Sequence, residues 1–175
     1  ALVNGVSWAK LAPAGVAPKL LMYFSIETDV FSETLGPIGN GDLLSSEGTI
    51  ARSNSVLLKA FSPMPVAADA GLDGLSLDSQ GNVLFSVERG FFSETLGRQI
   101  SSGDLLLGDG TVFKSEEELY AKFRILVPAA EGPGVDGVLI WPHGEVWFST
   151  ERGFTDQSFG PIAPGDLLSD TGRVV

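Results

Sequence analysis

Apolar and polar residues alternate in short bursts along this chain, and the bursts return in the same order three times. The clearest set lies between Leu72 and Phe123. Its aliphatic and aromatic runs, bounded by Gly, Asn and Asp, predict strands at 74–77, 83–88, 104–107 and 111–114. Gly81-Asn82 and Gly108-Asp109-Gly110 supply the turns of two hairpins. A long loop over 89–102 joins them. The period then changes. Ser115-Glu116-Glu117-Glu118 has capping-box form, and Leu119 and Phe123 stand four apart, so a short helix to about Phe123 is expected.

The same pattern predicts strands at 6–9, 20–27, 42–45 and 49–52 upstream, with a loop over 28–40. Leu57 and Phe61 there match Leu119 and Phe123. A Pro/Ala-rich connection (10–19) and a Pro-containing linker (62–71) complete that part. Downstream, strands are expected at 138–141, 145–151, 166–169 and 173–175. Three anchors hold the register. Phe24-Ser25-Ile26-Glu27 returns as Phe85-Ser86-Val87-Glu88 and Phe148-Ser149-Thr150-Glu151. Gly41-Asp42-Leu43-Leu44 returns as Gly103-Asp104-Leu105-Leu106 and Gly165-Asp166-Leu167-Leu168. Val3-Asn4-Gly5-Val6 returns as Leu72-Asp73-Gly74-Leu75 and Val135-Asp136-Gly137-Val138. The block Ser32-Glu33-Thr34-Leu35-Gly36 recurs as Ser93-Glu94-Thr95-Leu96-Gly97 and is lost in the third copy. A period near 60 residues reads as tandem units that bury their faces on one another. We therefore expect one repeat domain over 1–175, divided at 3–71, 72–134 and 135–175.

The expected fold is all-β: three four-stranded antiparallel units with short linking helices. Four antiparallel strands per unit is the blade of a β-propeller. The stretch from Asp73 to Ser86, an Asp-Gly, a strand, a Gly-Asn turn and a second strand, resembles blades of the broad NHL and SMP-30-like propeller group. Three blades are too few to close a ring, which leads to the expectation of half a six-bladed propeller closed by a homodimer. The competing fold is a single chain with internal three-fold symmetry, a β-trefoil or β-prism.

Composition narrows the classes. Apolar residues make up 43% and charged residues 19%, enough for a sizeable core. The formal net charge of −11 lacks the basic footprint of a nucleic-acid or anionic-membrane binder. It suits a cation or a basic protein partner. No apolar run has the length of a membrane span. There is no cysteine, so disulfides and zinc–thiolate sites are excluded. The sequence starts at Ala1, almost on the first anchor, which gives the expectation of a processed chain, secreted or periplasmic, or of a piece of a longer protein.

Two sets of repeated acids are the candidate site. Glu27, Glu88 and Glu151 end the second strands, and Asp42, Asp104 and Asp166 begin the third. They are candidates for ligand binding or for ordering their loops through backbone N–H groups. Asp73 and Asp136, with Asn4 in the equivalent place, precede the first strands, which line the channel of a propeller. Carboxylates and amides there suit Ca²⁺, and the set resembles the acid-and-amide metal sites of SMP-30-like lactonases. No cofactor is required by any motif. His143, the one histidine, lies in a turn. Trp8, Trp141 and Trp147 are candidates for core packing or for stacking on a sugar. The resulting expectation is a non-catalytic binding or structural module. The alternatives are a calcium-dependent hydrolase of lactonase or phytase type and a carbohydrate-binding lectin.

Overall fold

A computed structural model describes residues 3–11, 19–65, 69–78, 80–126 and 132–175, with side chains from Leu21 onward. The side chains of Asn4 and Trp8, most of the 10–19 connection and turn residue Ser79 lie outside the described residues.

The first unit holds β1 (Val3–Leu11), β2 (Lys19–Ile26), β3 (Val30–Ser32), β4 (Gly36–Ile38), β5 (Leu43–Ser45) and β6 (Thr49–Arg52). Helix α1 (Asn54–Leu57), a 3₁₀ turn (Lys59–Phe61) and β7 (Pro63–Met64) lead out of it. The second unit is β8 (Leu75–Leu77), β9 (Val83–Phe85), β10 (Phe91–Ser93), β11 (Arg98–Ile100), β12 (Leu105–Leu107) and β13 (Val112–Lys114). Helix α2 (Glu116–Tyr120) follows. The third is β14 (Val138–Ile140), β15 (Val146–Phe148), β16 (Phe154–Asp156), β17 (Gly160–Ile162), β18 (Leu168–Ser169) and β19 (Arg173–Val174).

The protein is all-β with short helices. Each unit contains one four-stranded antiparallel sheet in meander order: β1-β2-β5-β6, β8-β9-β12-β13 and β14-β15-β18-β19. None of the sheets closes on itself among the described residues. The first strands of the sheets are neighbours, with β8 packed between β1 and β14. Ile140 N–H donates across that seam to Ser76 Oγ at 3.2 Å.

The structure corrects the expected loops. What reads as a long loop between the second and third strands is a small hairpin in every unit: β3–β4, β10–β11 and β16–β17. The repeated Ser-Glu-Thr-Leu-Gly block is its turn. Ser32 Oγ accepts from Thr34 and Leu35 N–H, and Ser93 Oγ from Leu96 N–H. Asp156 takes over in the third unit, where its Oδ1 accepts from Ser158 and Phe159 N–H. Gly36, Gly97 and Gly160 close the turns with φ of 80°, 63° and 78°, a region that L side chains rarely adopt. The linkers also pair with these hairpins. β7 adds to β10, and Ile125 bridges to Asp156, so the exit of each unit is stitched to the next unit's hairpin.

The second strands are shorter than expected: β9 and β15 stop at Phe85 and Phe148, before the repeated Glu. Beyond them the pairing is irregular. Asp73 N–H still donates to Ser86 O and Ser86 N–H to Gly74 O, while Ser86 Oγ accepts from Gly74 N–H at 2.7 Å. Ser149 Oγ does the same for Gly137 N–H at 3.0 Å. In the first unit the β1–β2 register shifts at the matching place, between Asn4 and Val6. The capping box expected at the second linking helix is present. Ser115 and Glu118 form the reciprocal capping box, whereas Ser53 makes no side-chain cap.

Two apolar cores lie between units. The first joins Leu43, Leu57, Leu58 and Phe61 to Leu72, Leu75, Phe85, Val87, Phe91, Ile100 and Leu106. The second joins Leu84, Leu105, Leu119, Tyr120 and Phe123 to Val135, Val146, Phe148, Phe154, Ile162 and Leu168. The linking helix is the wedge in both. Its Leu-x-x-x-Phe pair fills the gap between one sheet and the next.

Candidate functional site

The Asp of the Gly-Asp-Leu-Leu anchor orders its own unit. Asp42 Oδ2 accepts from Gly39 N–H at 3.0 Å, and Oδ1 accepts from Asn54 N–H at the start of α1 at 3.0 Å. Asp104 repeats this with Ser101 N–H (3.3 Å) and Glu116 N–H (2.9 Å), and adds an ion pair with Arg98 at 2.7 Å. Asp166 accepts from Ala163 N–H at 2.8 Å. One carboxylate thus ties the start of the third strand to the helix that leaves the unit. Buried N–H groups left without an acceptor cost about 1–3 kcal/mol each. Asp104→Ala is therefore expected to lower the unfolding free energy by at least about 2 kcal/mol. Asp166→Ala, which frees a single exposed bond, should cost less than about 1 kcal/mol. Urea unfolding of the two variants checks the difference.

The Glu of the Phe-Ser-x-Glu anchor and the Asp of the Asp-Gly anchor gather near the start of the first strands β8 and β14. Asp73, at the start of unit two, lies within electrostatic reach of Glu27 of unit one and of Asp136 and Glu151 of unit three. It is 5% exposed, and its carboxylate has no hydrogen-bond partner among the described residues. Burial pushes its pKa up to about 8, and the negative charges of Asp136, Glu151, Glu88 and Glu27 push the same way. Glu88 and Glu151 are also raised, mainly by burial, with Arg89 and Arg152 respectively pulling back. Asp136 is exposed, as is Glu27.

The two Glu residues have distinct holders. Glu88 Oε2 accepts from Asn40 Nδ2 of the preceding unit at 2.8 Å. Glu151 pairs with Arg152 at 3.3 Å, and the nearby Ser102 hydroxyl also favours its charged form. Arg89 instead donates to Asp69 O at 2.6 Å. Gly71 and Gly134 make room for the Glu side chains. A Cβ at Gly71 would stand 2.6 Å from Glu88, and one at Gly134 would stand 2.7 Å from Glu151.

The structure thus brings together two sets that the sequence kept apart: Asp73 and Asp136 from the first-strand anchor, and Glu27, Glu88 and Glu151 from the second. It does not bring Asp42, Asp104 or Asp166 into that cluster. Among the described residues no group of three or more acids or histidines is arranged to hold a metal ion directly. Ser86 and Ser149, beside the acidic cluster, are occupied. Ser86 Oγ donates to Val135 O at 3.1 Å, and Ser149 Oγ contacts Asp136 Oδ2 at 3.5 Å. Trp141 and Trp147 pack edge to face at 4.9 Å, and Trp147 Nε1–H donates to Glu145. His143 is exposed in its turn and bonds Glu145 at 3.2 Å.

Sequence reasoning missed Asp69, Asn54 and Glu116. At the first junction Asp69 Oδ1 accepts from Gly71 N–H at 2.9 Å. At the second, Glu116 Oε1 accepts from the equivalent Gly134 N–H at 3.2 Å. The positions are exchanged: Asn54 stands where Glu116 does, and Gly132 where Asp69 does. One carboxylate per junction comes from opposite sides of the seam. A cavity of about 610 Å³ opens beside the first, lined in part by Asp42, Ser53, Ser55, Leu58, Asp69 and Glu94.

Together these features define an all-β repeat protein of small antiparallel sheets with an acidic cluster at the inner strands. Compared with family models, curated proteins and solved structures, the chain matches none.

Proposed function

We propose that the chain is a non-catalytic binding module: an arc of three propeller-like blades whose acidic axial mouth takes a cationic group. The observation that carries this reading is Asp73, a buried carboxylate that among the described residues has no hydrogen-bond partner and whose charge is disfavoured by the nearby acids Asp136, Glu151, Glu88 and Glu27. Like charges gathered in a desolvated space are unfavourable until a proton or a cation joins them. Acids that do not group for direct metal ligation suit an ammonium or guanidinium group, which donates to acceptors spread around it. The meander sheets, and β8 held between β1 and β14, support the blade reading. A calcium ion that keeps part of its water is the competing occupant. The hydrolase reading additionally needs a free nucleophile or base, and the hydroxyls of Ser86 and Ser149 are already committed to the backbone.

Calorimetry at pH 7 and low salt tests the proposal, with a tetra-arginine peptide and calcium chloride as separate titrants. The peptide should bind, release a proton seen as buffer-dependent heat, and weaken in 0.5 M salt as expected for exposed charges. Asp73→Asn and Glu88→Gln should each weaken it at least about tenfold, roughly 1.4 kcal/mol. Absence of heat, or binding that both variants leave intact, would overturn the reading. Heat from calcium alone would move it to a metal-binding module.

A further inference from the structure

The seam between units two and three carries a slot that the acidic cluster does not use. It is a cavity of about 330 Å³, lined in part by Asp78 and Gln80 of the β8–β9 turn, Phe113 of β13, and Ile140, Trp141 and Pro142 where β14 turns into β15. The slot lies past the ends of β8 and β14, whereas Asp73 and Asp136 stand before their starts. Phe113 is 38% exposed and Trp141 is partly buried. Both break the repeat. Leu75-Ser76-Leu77-Asp78 aligns with Val138-Leu139-Ile140-Trp141, so the indole stands where unit two has a carboxylate. Gly48-Thr49-Ile50-Ala51 aligns with Gly110-Thr111-Val112-Phe113, so the phenyl ring stands where unit one has a methyl group. A packing role common to the units would keep one kind of side chain at these places. The walls are held by contacts of the protein itself. Ile140 N–H donates to Ser76 Oγ across the seam at 3.2 Å, and Lys114 pairs with Asp170 between the same units. Trp141 meets Trp147 edge to face at 4.9 Å and stacks beside His143 at 6.3 Å. Asp78 Oδ1 accepts from Gln80 N–H and Asn82 N–H at 2.8 Å each, which fixes the opposite turn.

We propose that this slot is a carbohydrate subsite, taking a sugar ring of a neutral oligosaccharide. A pyranose has an apolar face of C–H groups and a rim of hydroxyls. The face packs on indole and phenyl rings, which bury much apolar area with little loss of side-chain freedom. The rim needs groups that accept and donate side by side. Asp78 Oδ2 accepts one hydrogen bond among the described residues, from Asn82 Nδ2 at 2.8 Å, and has a lone pair left for a hydroxyl. The exposed Gln80 amide both donates and accepts. The described lining holds no lysine, arginine or histidine, so an anionic ligand finds no charged partner there. An organic cation is the competing occupant, because aromatic faces attract one. Asp78, the one charged group of that lining, already holds three hydrogen bonds within its own turn, which favours an uncharged ligand. The volume lies at the small end of the range for small-molecule sites, about 300–1,000 Å³, and has room for one or two sugar rings. The inference does not rest on the cation proposed for the acidic mouth.

Calorimetry on the intact chain at pH 7 is the test, with cellotriose, maltotriose, mannotriose, galactotriose, triacetylchitotriose and choline chloride as separate titrants up to about 10 mM. The expected result is heat from at least one of the oligosaccharides, unchanged in 0.5 M salt because no charges pair on binding. Trp141→Ala and Phe113→Ala should each weaken that binding at least about tenfold. Gln80→Ala should weaken it about threefold through one lost hydrogen bond. Phe113 and Gln80 are exposed, so these two variants keep the test valid if Trp141→Ala proves unfolded by circular dichroism. Asp73→Asn should leave sugar binding intact, which separates the slot from the acidic mouth. No heat from any of the oligosaccharides, sugar binding that Phe113→Ala leaves intact, sugar binding lost in Asp73→Asn, or heat from choline alone would overturn the proposal. Failure of the arginine peptide to bind would leave it standing.

Discussion

Phe61→Ala is expected to lower the unfolding free energy by about 3–5 kcal/mol, the range for removing a buried aromatic ring from a packed core. Phe61 is fully buried at the end of the first linking helix. Its ring meets Phe91 edge to face at 6.0 Å. Its carbonyl accepts from Ser93 Oγ at 2.7 Å, which holds the second unit's hairpin against the linker. One residue therefore packs the seam and aligns the next unit. Truncation leaves a hole between two sheets that are themselves too small to shift and fill it. Phe123→Ala, in the same position at the second seam, touches Tyr120, Phe148 and Phe154 and should cost a similar amount. Chemical unfolding followed by tryptophan fluorescence measures both. A loss below about 1 kcal/mol for either would show that the linking helices do not bind the units together.

Stability of the wild type should fall as pH rises from about 4 to about 8, and Asp73→Asn should remove most of that fall. The native pKa of Asp73 lies near 8, far above the ordinary carboxylate range, because burial and four acidic neighbours disfavour its charge. Between the two pKa values the native state keeps a proton that the unfolded chain has lost. Unfolding then releases a proton, so its free energy decreases by up to about 1.4 kcal/mol for each pH unit in that window. Below about pH 4 both states are protonated and the effect vanishes. The sign is opposite to that of a salt-bridged acid, whose contribution is lost on acidification. Asparagine keeps the shape without the charge, so the variant should be more stable than wild type at pH 8 and nearly equal at pH 4. Thermal unfolding across that range decides it. A wild-type midpoint that rises from pH 5 to pH 8, or a variant that keeps the wild-type slope, would remove Asp73 from the centre of the mouth.

Much of this was legible in the residues. The three anchors located the four-stranded sheets because strands that bury one face need regular apolar spacing, and turns need Gly, Asn or Asp. Ser115 and Glu118 announced their capping box because both partners lie within one helical turn. The added hairpins were missed. Phe91-Phe92-Ser93 and Arg98-Gln99-Ile100 are three residues each, too short to carry a readable period. Their pairing depends on Ser93 Oγ and on a linker strand from the preceding unit. The exchange of Asp69 and Asn54 for Gly132 and Glu116 was invisible for a related reason. It preserves a carboxylate at a place in space and not at a place in the repeat.

The sequence by itself determined the repeat, its meander sheets and the acids that recur in each copy, since these follow from local pattern and from identity at a fixed period. Only the tertiary structure decided which acids meet. Asp73 is buried and Asp136 exposed, although both stand in the same motif, because among the described residues β8 packs against both β1 and β14 while β14 packs against β8 alone of the other first strands. Burial and like charge depend on what surrounds a side chain across the seam, and the order of packing around an arc is not written in any single unit.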